Sequence, residues 1–238
     1  MEVDVELNHN IYEKRYHAET GNVFYEPFLE ILFEIISHGS YNSILDYGCG
    51  TGKVARYLEF KGVRQLFKLD GVDISEKAVE LSAKYYDSIF LSDGNFFPEN
   101  KKYDIILLNS IIEHLEQDRL ECLFKKIEAS TSSLFIVVPN FYSLRRILKG
   151  RKSELNIERR DLGHVNFLSK GQISNLLRRF GYGSIQYSFP HEFKELNLSN
   201  YECFKRNKLL TLTYSMLSFF PFYYCRDSFW IYAKKQSK

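Results

Sequence analysis

The chain has 238 residues, 45% of them hydrophobic, enough apolar side chain for a sizeable core and too much for a disordered chain. With 32 basic and 30 acidic residues the net charge is +2, so no global field points to a nucleic-acid partner. Four cysteines (Cys49, Cys122, Cys203, Cys225) lie far apart without a C-x-x-C pair, which fits free thiols in a reducing compartment rather than disulfides or zinc ligands.

In chain order, Pro27 opens a helix whose apolar residues Phe28, Ile31, Leu32, Ile35 and Ile36 fall at helical spacing, and Gly39 closes it. Residues 43–47 form a short apolar strand, KVARYLEF a helix ended by Gly62, and residues 69–74 a second strand. Ser75 caps a helix over SEKAVELSAKYY, with Glu76 in its first turn where the helix dipole favours a carboxylate. A weak third strand at 88–91 and a strong fourth at 103–109 follow, with Asp104 facing solvent at its start. Leu120, Leu123, Phe124 and Ile127 mark the next helix, and SLFIVVP is the fifth strand. Ser169 to Gln172 is a capping-box pattern opening a helix through Phe180 to Gly181. Residues 184–189 and 228–233 complete seven strands. Apolar strands separated by helices imply a doubly wound, mostly parallel α/β sheet.

MEVDVELNHN is acidic without an apolar core, and no apolar run reaches the ~18 to 20 residues of a membrane span. A cytoplasmic chain is therefore expected. It reads as one domain over 1–238: a helical cap at 1–40, a core at 41–190, and an apolar helical segment with the final strand at 191–238.

Three glycines, Gly48, Gly50 and Gly52, alternate between the first strand and its helix. Such clusters mark positive φ or a backbone that a ligand approaches closely, and in this sheet the loop lies at the carboxyl end of strand one, where ligands bind. A dinucleotide fold shows G-x-G-x-x-G; here the third glycine comes one residue early and Asp46 precedes the loop. A carboxylate there opposes a pyrophosphate and suits an ammonium group.

Ile44-Leu45-Asp46-Tyr47-Gly48-Cys49-Gly50-Thr51-Gly52 resembles the first motif of class I S-adenosylmethionine-dependent methyltransferases. Gly71-Val72-Asp73-Ile74-Ser75 resembles the second, whose acid accepts the ribose hydroxyls; Asp73 lies 21 residues beyond Gly52, about where a ribose-binding acid belongs. Ser92-Asp93-Gly94 is similar to the adenine-reading acid motif, and is equally a turn signal. Tyr103-Asp104-Ile105-Ile106, then Ile112-Glu113-His114-Leu115, resembles the strand-four motif with its following EH pair. Gly163-His164-Val165-Asn166-Phe167-Leu168-Ser169 is similar to the segment before the fifth helix of small-molecule and glycan methyltransferases. The resemblance spans residues ~41 to ~190 and implies a Rossmann-like sheet with helices on both faces and its last strand antiparallel. It also implies S-adenosylmethionine as cofactor, bound by Asp46, Gly48, Cys49, Gly50, Thr51, Gly52, Asp73, Ile74, Asp93, Gly94 and Asn109. Cys49 has no histidine nearby in sequence and reads as buried loop rather than nucleophile.

Methyl transfer from a sulfonium needs alignment above all, and a base where the acceptor is a hydroxyl. His114 and His164, placed by motif order at the cleft mouth, are the candidates. Quinone-biosynthesis O-methyltransferases resemble this chain after strand four, but carry a glutamate three residues before the EH pair that joins it around magnesium. That position here is Ser110. A hard divalent ion wants several oxygens, so no metal is expected.

The expected acceptor is a small molecule or glycan, including a lipid- or nucleotide-linked sugar, methylated on oxygen. Arg145, Arg146, Lys149, Arg151, Lys152, Arg159 and Arg160 read first as a solvated lid, second as a phosphate receiver, and last as an RNA-binding surface. Residues 209–225 are uncharged over seventeen positions, with Pro221 interrupting the run. They read as a core helix and turn, or as a surplus apolar set lining a pocket or resting peripherally on a bilayer.

Overall fold

The computed structural model describes residues 27–142, 156, 162–188 and 228–235. Its elements are α1 (Pro27–His38), β1 (Ser43–Tyr47), α2 (Lys53–Phe60), β2 (Lys68–Asp73), α3 (Glu76–Ser82), β3 (Ser88–Leu91), β4 (Ile105–Asn109), α4 (Gln117–Ser130), β5 (Ser133–Pro139), α5 (Lys170–Arg179), β6 (Tyr182–Ser188) and β7 (Ser228–Lys235). The basic stretch at 145–160, apart from residue 156, and the apolar stretch at 209–225 lie outside the described residues, as do Cys203 and Cys225.

The seven strands form one sheet in the order β3-β2-β1-β4-β5-β7-β6. Pairings from β3 through β5 are parallel, while β7 runs antiparallel to both β5 and β6. The chain moves outward from β1 to β3 and then returns to lay β4 against the other side of β1. That reversal opens a crevice beyond the carboxyl ends of β1 and β4.

Alternate strand residues enter two different cores, which is why the central strands are apolar throughout. Leu45, Ile106, Leu108, Leu134 and Ile136 pack with Leu120 and Phe124 of α4 and Ile173 and Leu177 of α5. Ile44, Leu69, Ile105, Leu107 and Phe135 pack on the opposite face with Leu29, Leu32 and Ile36 of α1 and Val54 and Leu58 of α2. Burying one such leucine or isoleucine is worth about 1.5–3 kcal/mol.

Both predicted caps form. Ser75 Oγ accepts the Ala78 N–H, and Ser169 exchanges bonds with Gln172 in a capping box. β2 is shifted one residue toward the N-terminus and β7 ends two residues later than expected, and three further boundaries differ. The helix after Ser75 stops at Ser82 and tightens into a 3-10 turn over Ala83–Tyr85; Ser82 Oγ donates to the Ala78 carbonyl, 2.7 Å away, a local bond that competes with continuing the helix. β4 starts at Ile105, because Tyr103 makes only an isolated bridge to Thr131 and sends its hydroxyl to Asp70. β6 begins at Tyr182, with a register irregularity between Tyr182 and Ser184.

Asp104 is a correction. Its Oδ2 accepts the N–H groups of Asn42 and Ser43 and the Ser43 hydroxyl at 2.7, 2.8 and 3.0 Å. It clips the starts of β1 and β4 together rather than facing solvent. Partial burial pushes its carboxyl up, but these bonds outweigh it and hold the group below the usual carboxylate range.

Candidate functional site

The loop after β1 folds back over the end of β2: the N–H groups of Gly48 and Cys49 both donate to the Val72 carbonyl, at 2.7 and 3.0 Å. Gly48, Gly50 and Gly52 all have left-handed φ values, of 82, 52 and 79°. At Gly48 a Cβ atom would lie 1.9 Å from Ile111 Cδ1, so only glycine lets the loop press against the turn that follows β4. This contact joins the two halves of the crevice.

An acid stands at or near the carboxyl end of each of the three strands β1 to β3. Asp73, 6% exposed, accepts the Gly50 N–H on Oδ2 at 2.7 Å and the Ser75 N–H on Oδ1 at 3.0 Å. A carboxylate offers about four acceptor positions in all. Ser92 N–H donates to the Asp73 carbonyl, which ties the β3 loop beside it. Asp93 there is exposed; its Oδ1 accepts the Asn95 and Phe96 N–H groups, and these hold its carboxyl low. It therefore makes the turn that its sequence signals, with its other oxygen outside that turn.

Asp46 lies deeper. Its Oδ2 accepts the Tyr86 hydroxyl at 2.6 Å, while Oδ1 is buried without a hydrogen-bond partner among the described residues. Burial, helped by the nearby Asp73 charge, raises its pKa from 3.8 to about 7 against the Tyr86 bond. Burial, with Asp73 and Asp46 nearby, also pushes the Cys49 thiol well up. A thiol so protonated is no nucleophile.

These features fit S-adenosylmethionine. Acceptor oxygens suit an ammonium, a ribose diol and an adenine amine, and Asp46 Oδ1 is an orphaned acceptor beneath the loop. The same acids would repel a pyrophosphate. Thr51 and Ile74 are half-buried immediately beside the loop and Asp73. Asn109 ends β4 opposite Val137, and Gly94 takes a positive φ behind Asp93.

Beyond β4, Ser110 adopts φ 54°, a region that costs a non-glycine residue energy and concentrates at functional sites. A 3-10 turn, Ile112–His114, follows. The chain returns to this turn fifty residues later: Val165 and Asn166 both donate their N–H to the Glu113 carbonyl at 2.9 Å. His114 Nδ1 lies 3.3 Å from the Gly163 carbonyl oxygen. These bonds bring the His114 and His164 ring centroids to 4.6 Å, at 68° between planes. Phe141 packs edge-on against His164 and Phe167.

Glu113, His114 and His164 are all buried, and one donor atom from each lies within 4.8 Å of the others. The two predicted histidines thus meet in one cluster. Sequence reasoning did not count Glu113 among the site residues, although it adjoins His114 in the EH pair. It also passed over Tyr86, for which no local signal exists.

The methyltransferase-domain family model matches residues 18–187. No curated protein sequence matches the chain. Among solved structures, a SAM-dependent methyltransferase from Archaeoglobus fulgidus is similar at 20% identity and TM-score 0.60, covering 87% of this chain and 93% of that one. The plantazolicin methyltransferase BpumL, solved with a triazolic desmethylPZN analogue and SAH, is 22% identical with TM-score 0.59, covering 99% and 97%. The small RNA methyltransferase HEN1 is 17% identical with TM-score 0.60, covering 92% of this chain and 27% of that one. At these identities the likeness concerns the fold.

Proposed function

The chain belongs to the methyltransferase-domain family, and from that premise we propose that it transfers a methyl group from S-adenosylmethionine to a hydroxyl of a small-molecule or glycan acceptor. When bound, the cofactor supplies an electrophilic methyl carbon on a sulfonium. The protein's task is to hold its parts and to manage the acceptor.

In this reading the glycine loop gives the cofactor close backbone approach, Asp73 accepts the ribose diol, Asp93 faces the adenine amine with the oxygen its turn leaves over, and Asp46 answers the ammonium group. Thr51, Ile74, Gly94 and Asn109 line the same crevice.

The observation that carries the acceptor class is the buried cluster of Glu113, His114 and His164, on the turn whose Ile111 packs against Gly48 of the glycine loop. A hydroxyl acceptor must lose a proton as its oxygen bonds to carbon, whereas an amine can attack in neutral form. A buried carboxylate beside two imidazoles is suited to taking charge of that proton. The aromatic rings of Phe141 and Phe167 close one side of the cluster and limit water there.

RNA is the rival acceptor, because one structural neighbour is a small RNA methyltransferase. The near-neutral net charge of +2 favours the small acceptor. The test is transfer of labelled methyl from S-adenosylmethionine to separate pools of free sugars, nucleotide-linked sugars, lipid-linked sugars, other small hydroxyl compounds, amines and RNA. Label in a hydroxyl pool is expected; label confined to RNA or to amines overturns the reading.

A further inference from the structure

We propose that Tyr86 is the positioning residue for the cofactor's ammonium group: it holds Asp46 by one carboxylate oxygen and leaves the other, Oδ1, to exchange a proton for that ammonium. This rests on the reading above in which Asp46 answers the ammonium. It adds a role for Tyr86 and a proton released to water with each cofactor bound.

The sheet itself builds the pair. Asp46 and Gly71 stand opposite each other in the β1–β2 register. A Cβ on Gly71 would lie 3.1 Å from both Tyr86 Cδ1 and Cys49 Sγ, so the bare glycine makes room for the tyrosine ring beside β1. The Tyr86 hydroxyl then donates to Asp46 Oδ2 at 2.6 Å, a length typical of a hydroxyl on a carboxylate. Both residues are buried, so this bond rather than solvent holds that end of the carboxylate.

What faces Asp46 is short of positive charge. β2 brings the Asp73 carboxylate, the glycine loop the Cys49 thiol, and the turn after α3 the Tyr86 hydroxyl. β4 places Leu107 opposite it. Among the described residues no cation pairs with Asp46, and Oδ1 has no hydrogen-bond partner. A buried anion with one oxygen unpaired and a second carboxylate nearby is costly, and a neutral acid much less so. Without cofactor, Asp46 therefore keeps its proton up to about pH 7.

An arriving ammonium supplies the missing positive charge. Asp46 ionises, its proton leaves to water, and the ammonium keeps its own protons. The Tyr86 bond opposes burial by favouring the anion, which brings the exchange within reach of neutral pH. It also occupies Oδ2, so that Oδ1 receives the ammonium.

The test is calorimetry of S-adenosylhomocysteine binding to the full chain between about pH 5.5 and 7.5, in pairs of buffers with different ionisation enthalpies. This window lies below the pH at which an α-amino group loses its proton. The control ligand is 5′-methylthioadenosine, which keeps the adenosine and lacks the ammonium. With a midpoint at about 7, wild type should release close to one proton per S-adenosylhomocysteine at the acid end, and affinity should rise about twentyfold across the window. The control ligand should show neither effect. Tyr86→Phe should move the profile up by about one to two pH units, whereas a merely structural role would weaken binding equally at every pH. Asp46→Asn should bind weakly and equally across the window; His114 and His164 remain in it, so any dependence of theirs would persist.

No proton release by wild type, the same pH dependence with 5′-methylthioadenosine, or an unshifted profile in folded Tyr86→Phe overturns the proposal. If a variant unfolds, the wild-type comparison of the two ligands decides alone. Weakened binding in Asp46→Asn without proton release by wild type would sink the exchange and leave the ammonium contact standing. Unchanged affinity in folded Asp46→Asn would remove the contact itself, and the proposal with it.

Discussion

Gly48 and Ile111, 63 positions apart in the chain, are in such close contact that a methyl group on the glycine would sit 1.9 Å from Ile111 Cδ1. The cofactor loop and the turn bearing Glu113 and His114 are therefore one packed unit. Gly48→Ala should cost about 1–3 kcal/mol through overpacking, with a further penalty for its φ of 82°. Thermal or denaturant unfolding measures the loss. Adding Ile111→Ala should restore part of it, since that removes the clash and leaves the backbone strain; strict additivity of the two substitutions would show that they do not touch.

Asp73 does two jobs at once. Its oxygens already accept the Gly50 and Ser75 N–H groups, so Asp73→Ala removes loop bonds as well as any ribose contact. Asp73→Asn keeps one acceptor oxygen and isolates the second effect better. Charge-assisted bonds are worth about 1.5–3 kcal/mol, so Asp73→Asn should weaken S-adenosylhomocysteine at least about tenfold. Calorimetry showing unchanged affinity in a folded variant would remove Asp73 from the cofactor site.

Asp46 makes stability depend on pH. Its pKa is raised from 3.8 to about 7 by burial. Between those values the native state holds a proton that the unfolded chain has released, so its stabilising contribution is complete below about pH 4. It declines as pH rises to about 7, by up to about 1.4 kcal/mol per unit. Asp46→Asn should flatten that slope in cofactor-free protein. Parallel unfolding curves for wild type and variant from pH 4 to 8 would contradict this.

Asp104 offers a control remote from the cofactor loop. Asp104→Ala leaves the N–H groups of Asn42 and Ser43 without this acceptor, at a cost of about 1–3 kcal/mol. S-adenosylhomocysteine affinity should not change. A drop in affinity with intact stability would mean that the start of the β1–β4 pair communicates with its far end.

Much of this arrangement was legible in the sequence because it is local. The central strands are apolar on both faces, so Ser43–Tyr47 and Ser133–Pro139 read directly as strands. Ser75 and the Ser169–Gln172 box mark helix starts by chemistry confined to three or four residues. The glycine loop likewise shows itself by composition. Long-range bonds were not legible. Nothing near Asp46 announces Tyr86, forty positions on, and nothing near Asp104 announces the N–H groups of Asn42 and Ser43. The union of Glu113 with His164 depends on two backbone bonds to a carbonyl, which side-chain patterns do not encode. Ser110 reads as an ordinary polar residue, yet the sharp exit from β4 sets its φ at 54°.

The acceptor chemistry is the central claim, and the linkage of the transferred carbon tests it most directly. With carbon-13 in the methyl group of S-adenosylmethionine, the carbon shift of the product distinguishes a methyl on oxygen from one on nitrogen or carbon. A methyl ether on a small molecule or glycan, its formation lost in folded Glu113→Gln and His164→Gln variants, is the predicted result. An N-methyl or C-methyl product, or an ether formed at the wild-type rate by both variants, would contradict the account.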